Sequence, residues 1–379
     1  MEIGYVRGIG RTKFGILDEN LQEMMYVAVS KALKDASLEP NNIDMIFIAN
    51  FVSGILQNQL HLGSILNNVL NFTGKPIIRV ESACASGGSA FYQALIALNK
   101  FRNILVVGVE KMSNIETNLT TKALASADDN TLYLKEGLVF PATFAFIAQQ
   151  HMLKYGTTTE DLALVSYKNH KNAKLNPLAH FNYKDVTIEM IQSSATVCSP
   201  LRLFDCSPIS DGAAAVIISK GKNSNRDIAV VGSSLCTDYC SLTQRENLTS
   251  FNSAKKAASE AYRQANIKPD DLDLIEVHDC FTITELIALE DLNICKPGES
   301  KDLVRSGYTD IGGTIPVNTD GGLKADGHPV GATGIAQIYE VITQLREEAG
   351  ERQISGAEIA LTHNIGGVGG TTAINIFRR

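Results

Sequence analysis

The chain has 379 residues, which is too long for one small core and suits two or three domains or sub-domains. Its net charge of −7 argues against nucleic-acid binding, because that needs a basic face. No apolar run is long enough to predict a membrane span, and the seven scattered cysteines without a CxxC pair predict a reducing compartment, the cytoplasm, rather than a disulfide framework or a metal cluster.

The first predicted elements recur later in the chain. Residues 29–49, VSKALKDASLEPNNIDMIFIA, align without a gap with residues 258–278, ASEAYRQANIKPDDLDLIEVH, at an offset of 229. Each copy predicts an amphipathic helix, a turn at Pro40 or Pro269 and a buried strand, because the apolar period changes from helical to extended at the same place.

A second pair of matching segments follows at an offset of 244. CASGGSAFYQAL begins at Cys84 and matches HPVGATGIAQIY, which begins at His328. In each copy a glycine-rich turn opens an alanine-rich helix, and a buried strand follows, NILVVGVE or AEIALTHN. Two halves with this common order predict a duplicated α/β unit whose largely parallel sheets are covered by helices.

The two halves are unequally spaced, which predicts an insertion in the first. We predict four segments: residues 1–112 as the first part of the N-terminal half, 113–197 as an inserted helical lid, 198–250 as the rest of that half, and 251–379 as the C-terminal half. A smaller insertion is expected near residues 295–313.

The second match places Cys84 where the other half has His328. If the halves pack around a pseudo-twofold axis, these two turns face each other, and the two side chains form a nucleophile and its base. A helix N-terminus at Cys84 favours a thiolate and offers N–H donors to an oxyanion. The small residues from Ala83 to Ala90 would allow close packing and leave the sulfur reachable.

Further polar groups lie in VHDCFTITEL, NTDGGLKADGHPVGATG and HNIGGVGG. By strand alternation, His278 and Cys280 point to the same side, where a thiol and an imidazole can move protons or bind an oxygen. Asn318 and His328 are held in the second stretch, and the glycine-rich turn of the third offers backbone N–H donors.

These motifs, together with ESACASGG, occur in an order that resembles the thiolase family, in the branch of sterol-carrier-protein-2 thiolases and archaeal acetoacetyl-CoA thiolases. YKNHKNAKLNP and CSPLRLFDCSPISDGAAAVIIS resemble the same branch, and the resemblance covers the whole chain. It implies an α/β thiolase fold: five αβαβα layers built from two βαβαβαββ halves, with a loop domain inserted in the first.

The resemblance also implies an acyl-CoA C-acyltransferase that makes or cleaves a 3-oxoacyl-CoA, above all acetoacetyl-CoA, through an acyl-cysteine. Cys84 would be acylated and His328 would activate it. Most thiolases carry an NEAF-type motif and a C-terminal CxG, whereas this chain has HDCF and HN. In the branch that it resembles, Cys280 takes over the second acid/base role, His278 helps His328 to bind the thioester oxygen, and the backbone N–H groups of Cys84 and Gly366 form a second oxyanion hole.

The implied ligands are acetyl-CoA, 3-oxoacyl-CoA and CoA, with no cofactor and no metal. Because CoA is anionic, Lys168, Lys171 and Lys174 in the lid are candidates to neutralise it, although a solvated helix face explains them equally well. The resemblance implies a homodimer or homotetramer, and some relatives in the branch bind a small zinc-ribbon/OB-fold protein.

Two alternatives stay open at this point. A decarboxylating ketoacyl synthase or another acyltransferase on the same fold would use Cys with two His, or Cys–His–Asn, without an acid/base cysteine. A thiolase-like scaffold in a larger complex would be non-catalytic and would not require the catalytic side chains. Cys280 and GHPVGATG favour the thiolase. The presence of all four candidate catalytic side chains, Cys84, His278, Cys280 and His328, disfavours the scaffold.

Overall fold

The helices and strands follow the order that the repeats predict. The computed structural model describes residues 2–129 and 136–379. Its strands are β1 (Gly4–Arg11), β2 (Met45–Ala49), β3 (Ile77–Val80), β4 (Asn103–Glu110), β5 (Thr196–Cys198), β6 (Leu201–Arg202), β7 (Gly212–Ser219), β8 (Ile228–Thr237), β9 (Leu274–Glu276), β10 (Ile359–Gly366) and β11 (Thr371–Arg378).

The helices are α1 (Leu21–Ala36), α2 (Ser53–Leu56), α3 (Leu62–Asn67), α4 (Ser86–Ala97), α5 (Thr117–Ala125), α6 (Phe140–Tyr155), α7 (Thr159–Ala173), α8 (Ile188–Ser193), α9 (Asn252–Ala265), α10 (Thr282–Asp291), α11 (Ser300–Arg305), α12 (Gly322–Ala325) and α13 (Val330–Leu345). Within the described residues, no helix combines the length and the apolar character that crossing a bilayer requires.

Nine strands pair in the order β3-β2-β4-β7-β1-β8-β11-β10-β9. Outward from the β1–β8 pair, β7, β4 and β2 on one side correspond to β11, β10 and β9 on the other. β1 and β8 are antiparallel there, with Val6 opposite Ile228. The second half has no full counterpart of β3; Val317 makes a single parallel bridge to Ile275 at that position. The predicted duplication is therefore present in the strand order as well as in the sequence.

Helices separate the two sets of strands into layers. α4 and α13 pack against each other, and both contact strands of both halves. α1 covers the outer face of β1 and β7, and α9 covers the outer face of β8 and β11. Most buried apolar side chains accordingly belong to one central and two outer cores. This arrangement confirms the predicted αβαβα fold.

Equivalent helices also end in the same way. α1 stops at Ser37 and α9 stops at Asn266, each with a left-handed φ of 52°. The two residues are 229 apart, which is the offset of the sequence repeat. Each helix is followed by a short 3₁₀ turn that starts at Pro40 or Pro269, where a proline is favoured because its fixed φ suits the first helical position.

The insertion interrupts the first half between β4 and β7. It spans residues 111–211, holds α5 to α8 and the β5–β6 hairpin, and corresponds to a short turn at 367–370 in the second half. The predicted lid, 113–197, falls inside this range, and its residues 130–135 lie outside the described residues. β8 hydrogen-bonds along most of β11, so strand pairing joins residues 228–237 to the second half, whereas the predicted division places them with the first.

Candidate active site

The structure brings the two matched turns together. Cys84 lies two residues before α4, and His328 lies two residues before α13. The Cys84 sulfur and one ring nitrogen each of His278 and His328 lie within 4.8 Å of one another, and all three residues are buried. The two imidazole rings are nearly perpendicular, with centroids 5.1 Å apart. A thiol and two imidazoles from three separate turns thus meet at the junction of the halves.

Glycines allow this close approach of α4 and α13. A Cβ on Gly87 would lie 3.0 Å from the backbone of Gly334. A Cβ on Gly334 would lie 2.3 Å from Oδ1 of Asn364 and 2.6 Å from the backbone nitrogen of Gly88. Contacts this short with backbone atoms are not relieved by side-chain rotation. Glycine at positions 87 and 334 is therefore required by the packing of the two helices.

Burial favours the protonated form of Cys84. Burial raises the pKa of its thiol to about 12, and the backbone N–H of Gly367 acts in the opposite direction but is outweighed. Burial therefore acts against the thiolate that a helix N-terminus favours, because removal of water disfavours the charged form. The backbone N–H of Gly367 reaches the Cys84 sulfur, and Gly366, the predicted donor to an oxyanion, packs against the turn at Ser82.

His328 presents a lone pair to the site. Its Nδ1 lies 2.7 Å from Oγ1 of Thr333, and that hydroxyl donates to the carbonyl of Pro329 at 3.0 Å. A hydroxyl has one proton, so Thr333 must accept from Nδ1–H of His328. Burial lowers the pKa of His328 to about 3, so the ring is neutral and Nε2 is the basic nitrogen.

His278 has the opposite proton arrangement. Nδ2 of Asn364 lies 3.2 Å from Nδ1 of His278, and the same Nδ2 donates to the carbonyl of Cys84 at 2.9 Å. The amide orientation is fixed because Oδ1 accepts the N–H of Gly88 at 3.1 Å. Nδ1 of His278 therefore accepts a hydrogen bond, and its proton is on Nε2, which has no protein partner among the described residues.

Cys280 and Cys84 line one cavity of about 200 Å³. Burial raises the pKa of Cys280 well above its usual value, and a negative charge on Cys84 or Asp279 would raise it further. Phe144 of α6 stacks on Phe281 with centroids 4.5 Å apart at the wall of this cavity. The remaining lining is mostly apolar and comes largely from the insertion: Met112, Thr121, Leu124, Phe140, Pro141, Cys206, Ser207, Pro208, Ile209, His328, Val330 and Gly367.

The three predicted CoA-binding lysines lie in different surroundings, and none lines the cavity. Lys168 is buried, with Nζ 2.8 Å from a carboxylate oxygen of Glu285 and 2.8 Å from the carbonyl of Val317. The prediction for Lys168 is therefore wrong, since its charge is already paired and shielded from solvent. Lys171 and Lys174 are exposed, and Lys174 contacts Asp185.

Three supporting residues carry no assigned role in the sequence interpretation. Thr333 and Asn364 set the two histidine tautomers, as described above. Glu110 ends β4 and accepts the N–H of Gly331 at 3.0 Å, which holds the start of α13 against the first half. Thr333 and Asn364 lie inside GHPVGATG and HNIGGVGG. Thr333 contacts His328 only five residues away. Asn364 contacts His278, 86 residues away, and no local pattern indicates that contact.

This fold and site place the chain in a known family. One family model, the thiolase N-terminal domain, matches residues 5–222, and a second, the thiolase C-terminal domain-like model, matches residues 234–379. The chain belongs to the thiolase family, and the predicted family and enzyme class, acyltransferases of the thiolase type, are confirmed.

Individual relatives agree with this assignment. The chain is 44% identical over 99% of both lengths to an acetyl-CoA acetyltransferase of Methanothermobacter thermautotrophicus. It is 33% identical to sterol carrier protein 2 of Bos taurus, covering 99% of this chain and 72% of that protein. The solved structure of human mitochondrial 3-ketoacyl-CoA thiolase superposes with a TM-score of 0.76 at 18% identity, over 99% of this chain and 98% of the other.

Proposed function

We propose that the protein is an acetyl-CoA C-acetyltransferase that makes or cleaves acetoacetyl-CoA by a ping-pong mechanism through an acyl-cysteine. The observation that carries the proposal is the meeting of the Cys84 sulfur with ring nitrogens of His278 and His328 within 4.8 Å, beside a cavity that Cys280 also lines. The relative at 44% identity, named acetyl-CoA acetyltransferase, supports the substrate.

In thiolysis, Nε2 of His328 takes the proton of Cys84 as the sulfur attacks the ketone carbon of acetoacetyl-CoA. The C–C bond then breaks, leaving an acetyl group on sulfur and an acetyl-CoA enolate. Nε2–H of His278 can donate to the enolate oxygen, which needs such a donor because a thioester α-carbon is a weak acid. Backbone N–H groups of Cys84 and of Gly366 or Gly367 are the candidates for the other oxyanion.

Cys280 completes the cycle as the second acid/base. Its raised pKa keeps the thiol protonated, so that it can deliver a proton to the enolate carbon. After acetyl-CoA leaves, CoA enters and Cys280 accepts its thiol proton. The CoA sulfur then takes the acetyl group from Cys84, and the released Cys84 thiolate regains its proton from His328. In the condensing direction each step runs in reverse, and Cys280 removes the α-proton of acetyl-CoA.

Coenzyme A binding requires no further cofactor in this scheme. Lys171 and Lys174 remain the proposed partners of its anionic groups, since both are exposed on the insertion side of the molecule. Replacing both with Met should raise the KM for CoA and weaken its dependence on salt, with kcat unchanged. An unaltered KM would assign both lysines to a solvated face.

We also propose that two or more copies associate in the cytoplasm. The outer edge of β3 carries no strand partner among the described residues, and Ile78 on it is 46% exposed. An edge strand with exposed apolar side chains is usually covered. The seven cysteines are all unpaired, which suits a reducing compartment. Light scattering of the purified chain tests the association, and co-purification tests a zinc-ribbon/OB-fold partner.

The acyl-cysteine is tested by incubating the protein with acetyl-CoA and analysing its peptides by mass spectrometry. We expect one acetyl group on the peptide that contains Cys84, none in Cys84→Ala, and a normal adduct in the control Cys236→Ala, whose thiol lies outside the cavity. An active Cys84→Ala protein would overturn the assignment. Acetylation without condensation of acetyl-CoA alone would instead indicate a ketoacyl-synthase-like acyltransferase, and no acetylation would indicate a scaffold.

A further inference from the structure

Asn364 touches three elements of the site at once. It lies in β10, buried, and bonds the backbone of Cys84 and Gly88 as well as the ring of His278. Oδ1 faces a donor and Nδ2 faces two acceptors, so the amide has only one satisfactory orientation. Each of its two N–H groups is used, one on the carbonyl of Cys84 and one on Nδ1 of His278.

This contact decides which chemistry His278 can perform. With Nδ1 occupied by an incoming N–H, the neutral ring must hold its proton on Nε2. Nε2 is buried and has no partner among the described residues, so its N–H is available to a substrate oxygen. His328 is held in the other tautomer by Thr333, so that one imidazole of the pair donates and the other accepts.

The same contact bears on metal binding. A thiol and two imidazoles within 4.8 Å have the composition of a zinc site, and Cys280 lines the same cavity. A metal would need a lone pair on Nε2 of His278. Moving the proton of His278 from Nε2 to Nδ1 would make it face the N–H of Asn364, so that two donors point at each other. The amide therefore disfavours metal binding by His278.

We propose that Asn364 is a positioning residue that holds His278 in its Nε2–H tautomer, so that this nitrogen donates to the thioester oxygen and is withheld from divalent metal ions. The catalytic part of this inference rests on the proposed function; the tautomer and the metal exclusion do not. A carboxylate in place of the amide would accept a proton from Nδ1 and expose the lone pair of Nε2, as carboxylates do behind zinc-bound histidines.

The first measurement needs no variant. Long-range ¹H–¹⁵N spectra of ¹⁵N-histidine-labelled protein, with His278→Gln and His328→Gln for assignment, should show His278 protonated on Nε2 and His328 on Nδ1. A wild-type His278 protonated on Nδ1 would overturn the proposal at once, whatever the enzyme's activity.

The second measurement compares Asn364→Asp with Asn375→Asp, a matched control. Asn375 is a buried asparagine on the neighbouring strand that bonds Ser233 and Thr362 and does not touch His278. In Asn364→Asp we expect His278 to shift to Nδ1–H, zinc chloride to bind at least about 10-fold more tightly by calorimetry, and Cys84 to be required for that gain. The control should keep the wild-type tautomer and zinc affinity.

The kinetic expectation for Asn364→Asp, without added metal, is a fall in kcat of about 10²–10³-fold with little change in the KM for CoA, because a donor to the developing oxyanion is lost. An unchanged tautomer and zinc affinity in Asn364→Asp would overturn the proposal. Absence of Cys84 acetylation in the wild type would instead overturn the proposed function and leave the tautomer result standing.

Discussion

His278 and His328 are identical side chains with their protons on opposite nitrogens. Asn364 donates to one ring, whereas the hydroxyl of Thr333, already donating to Pro329, accepts from the other. Thr333→Val should therefore remove the acceptor that orients His328 and slow Cys84 acetylation by about 10-fold or more, since an essential base then loses its preferred tautomer. Single-turnover acetylation measures this; wild-type rates in the variant would show that the hydroxyl has no orienting role.

Cys280 separates carbon–carbon bond chemistry from acyl transfer. Cys280→Ala should lower condensation and thiolysis by about 10²–10⁴-fold, because a general acid/base is lost. Acetylation of Cys84 should survive, since that step uses Cys84, His328 and an oxyanion hole. The decisive measurement is α-proton exchange of bound acetyl-CoA in deuterated water. Exchange at the wild-type rate in an acetylated Cys280→Ala protein would assign the base to another group.

The protonation of Cys84 makes a prediction about pH. A thiol with its pKa raised to about 12 gains thiolate as the pH rises, so alkylation by iodoacetamide should accelerate by roughly tenfold per pH unit from pH 6 to 9. A preformed thiolate–imidazolium pair would instead react at a constant rate over that range. Peptide mass spectrometry of the Cys84 peptide gives the rate, and a plateau would contradict the neutral pair.

At the scale of elements, α4 and α13 touch through glycine. Gly334→Ala would place a Cβ against Asn364 and Gly88, and we expect it to cost about 1–3 kcal/mol of unfolding free energy, as overpacking does. Gly221→Ala is the control, because nothing lies within 4 Å of its Cβ position. Urea midpoints compare the two. Equal midpoints would mean that the helices can separate without cost.

α7 contains a second contrast between neighbouring positions. Lys168 is buried against Glu285, whereas Lys171 on the same helix is 60% exposed. Lys168→Met should cost about 3–5 kcal/mol, because it leaves the buried charge of Glu285 without a counter-charge, with only the amides of Asn169 and Asn318 as donors. Lys171→Met should change stability by less than about 0.5 kcal/mol. A small effect at Lys168, again from urea unfolding, would mean that Glu285 takes up a proton or that its amide partners are sufficient.

At the scale of the whole molecule, the two halves use equivalent carboxylates. Asp44 accepts the N–H groups of Arg102 and Asn103 at the start of β4, at 2.9 and 3.0 Å. Asp273, 229 residues later, accepts two N–H groups at the start of β10, both at 2.8 Å. The duplication therefore extends to single hydrogen bonds, and the halves share one way of joining a loop to a strand.

This equivalence predicts matched effects on stability. Asp44→Ala and Asp273→Ala should each lower the unfolding free energy by about 1–3 kcal/mol, because each leaves two backbone N–H groups without their charged acceptor. The effects should add in the double variant, since the sites are distant. Strongly unequal losses in urea unfolding would show that the halves differ in local stability.

The sequence by itself determined the duplicated order of helices and strands, the two helix starts at Cys84 and His328, and the residue types of the site. These features are local or repeat within the chain, so periodicity and internal alignment reveal them. Only the tertiary structure decided the protonation of Cys84, the burial of Lys168, the pairing of β8 with β11 and the proton positions of the two histidines. Loss of water around Cys84 and Lys168 follows from packing that no local pattern records. The state of His278 depends on distant partners, since Asn364 and Gly88 are 276 residues apart, whereas His328 and Thr333 are close in sequence and meet only in the folded turn at the start of α13.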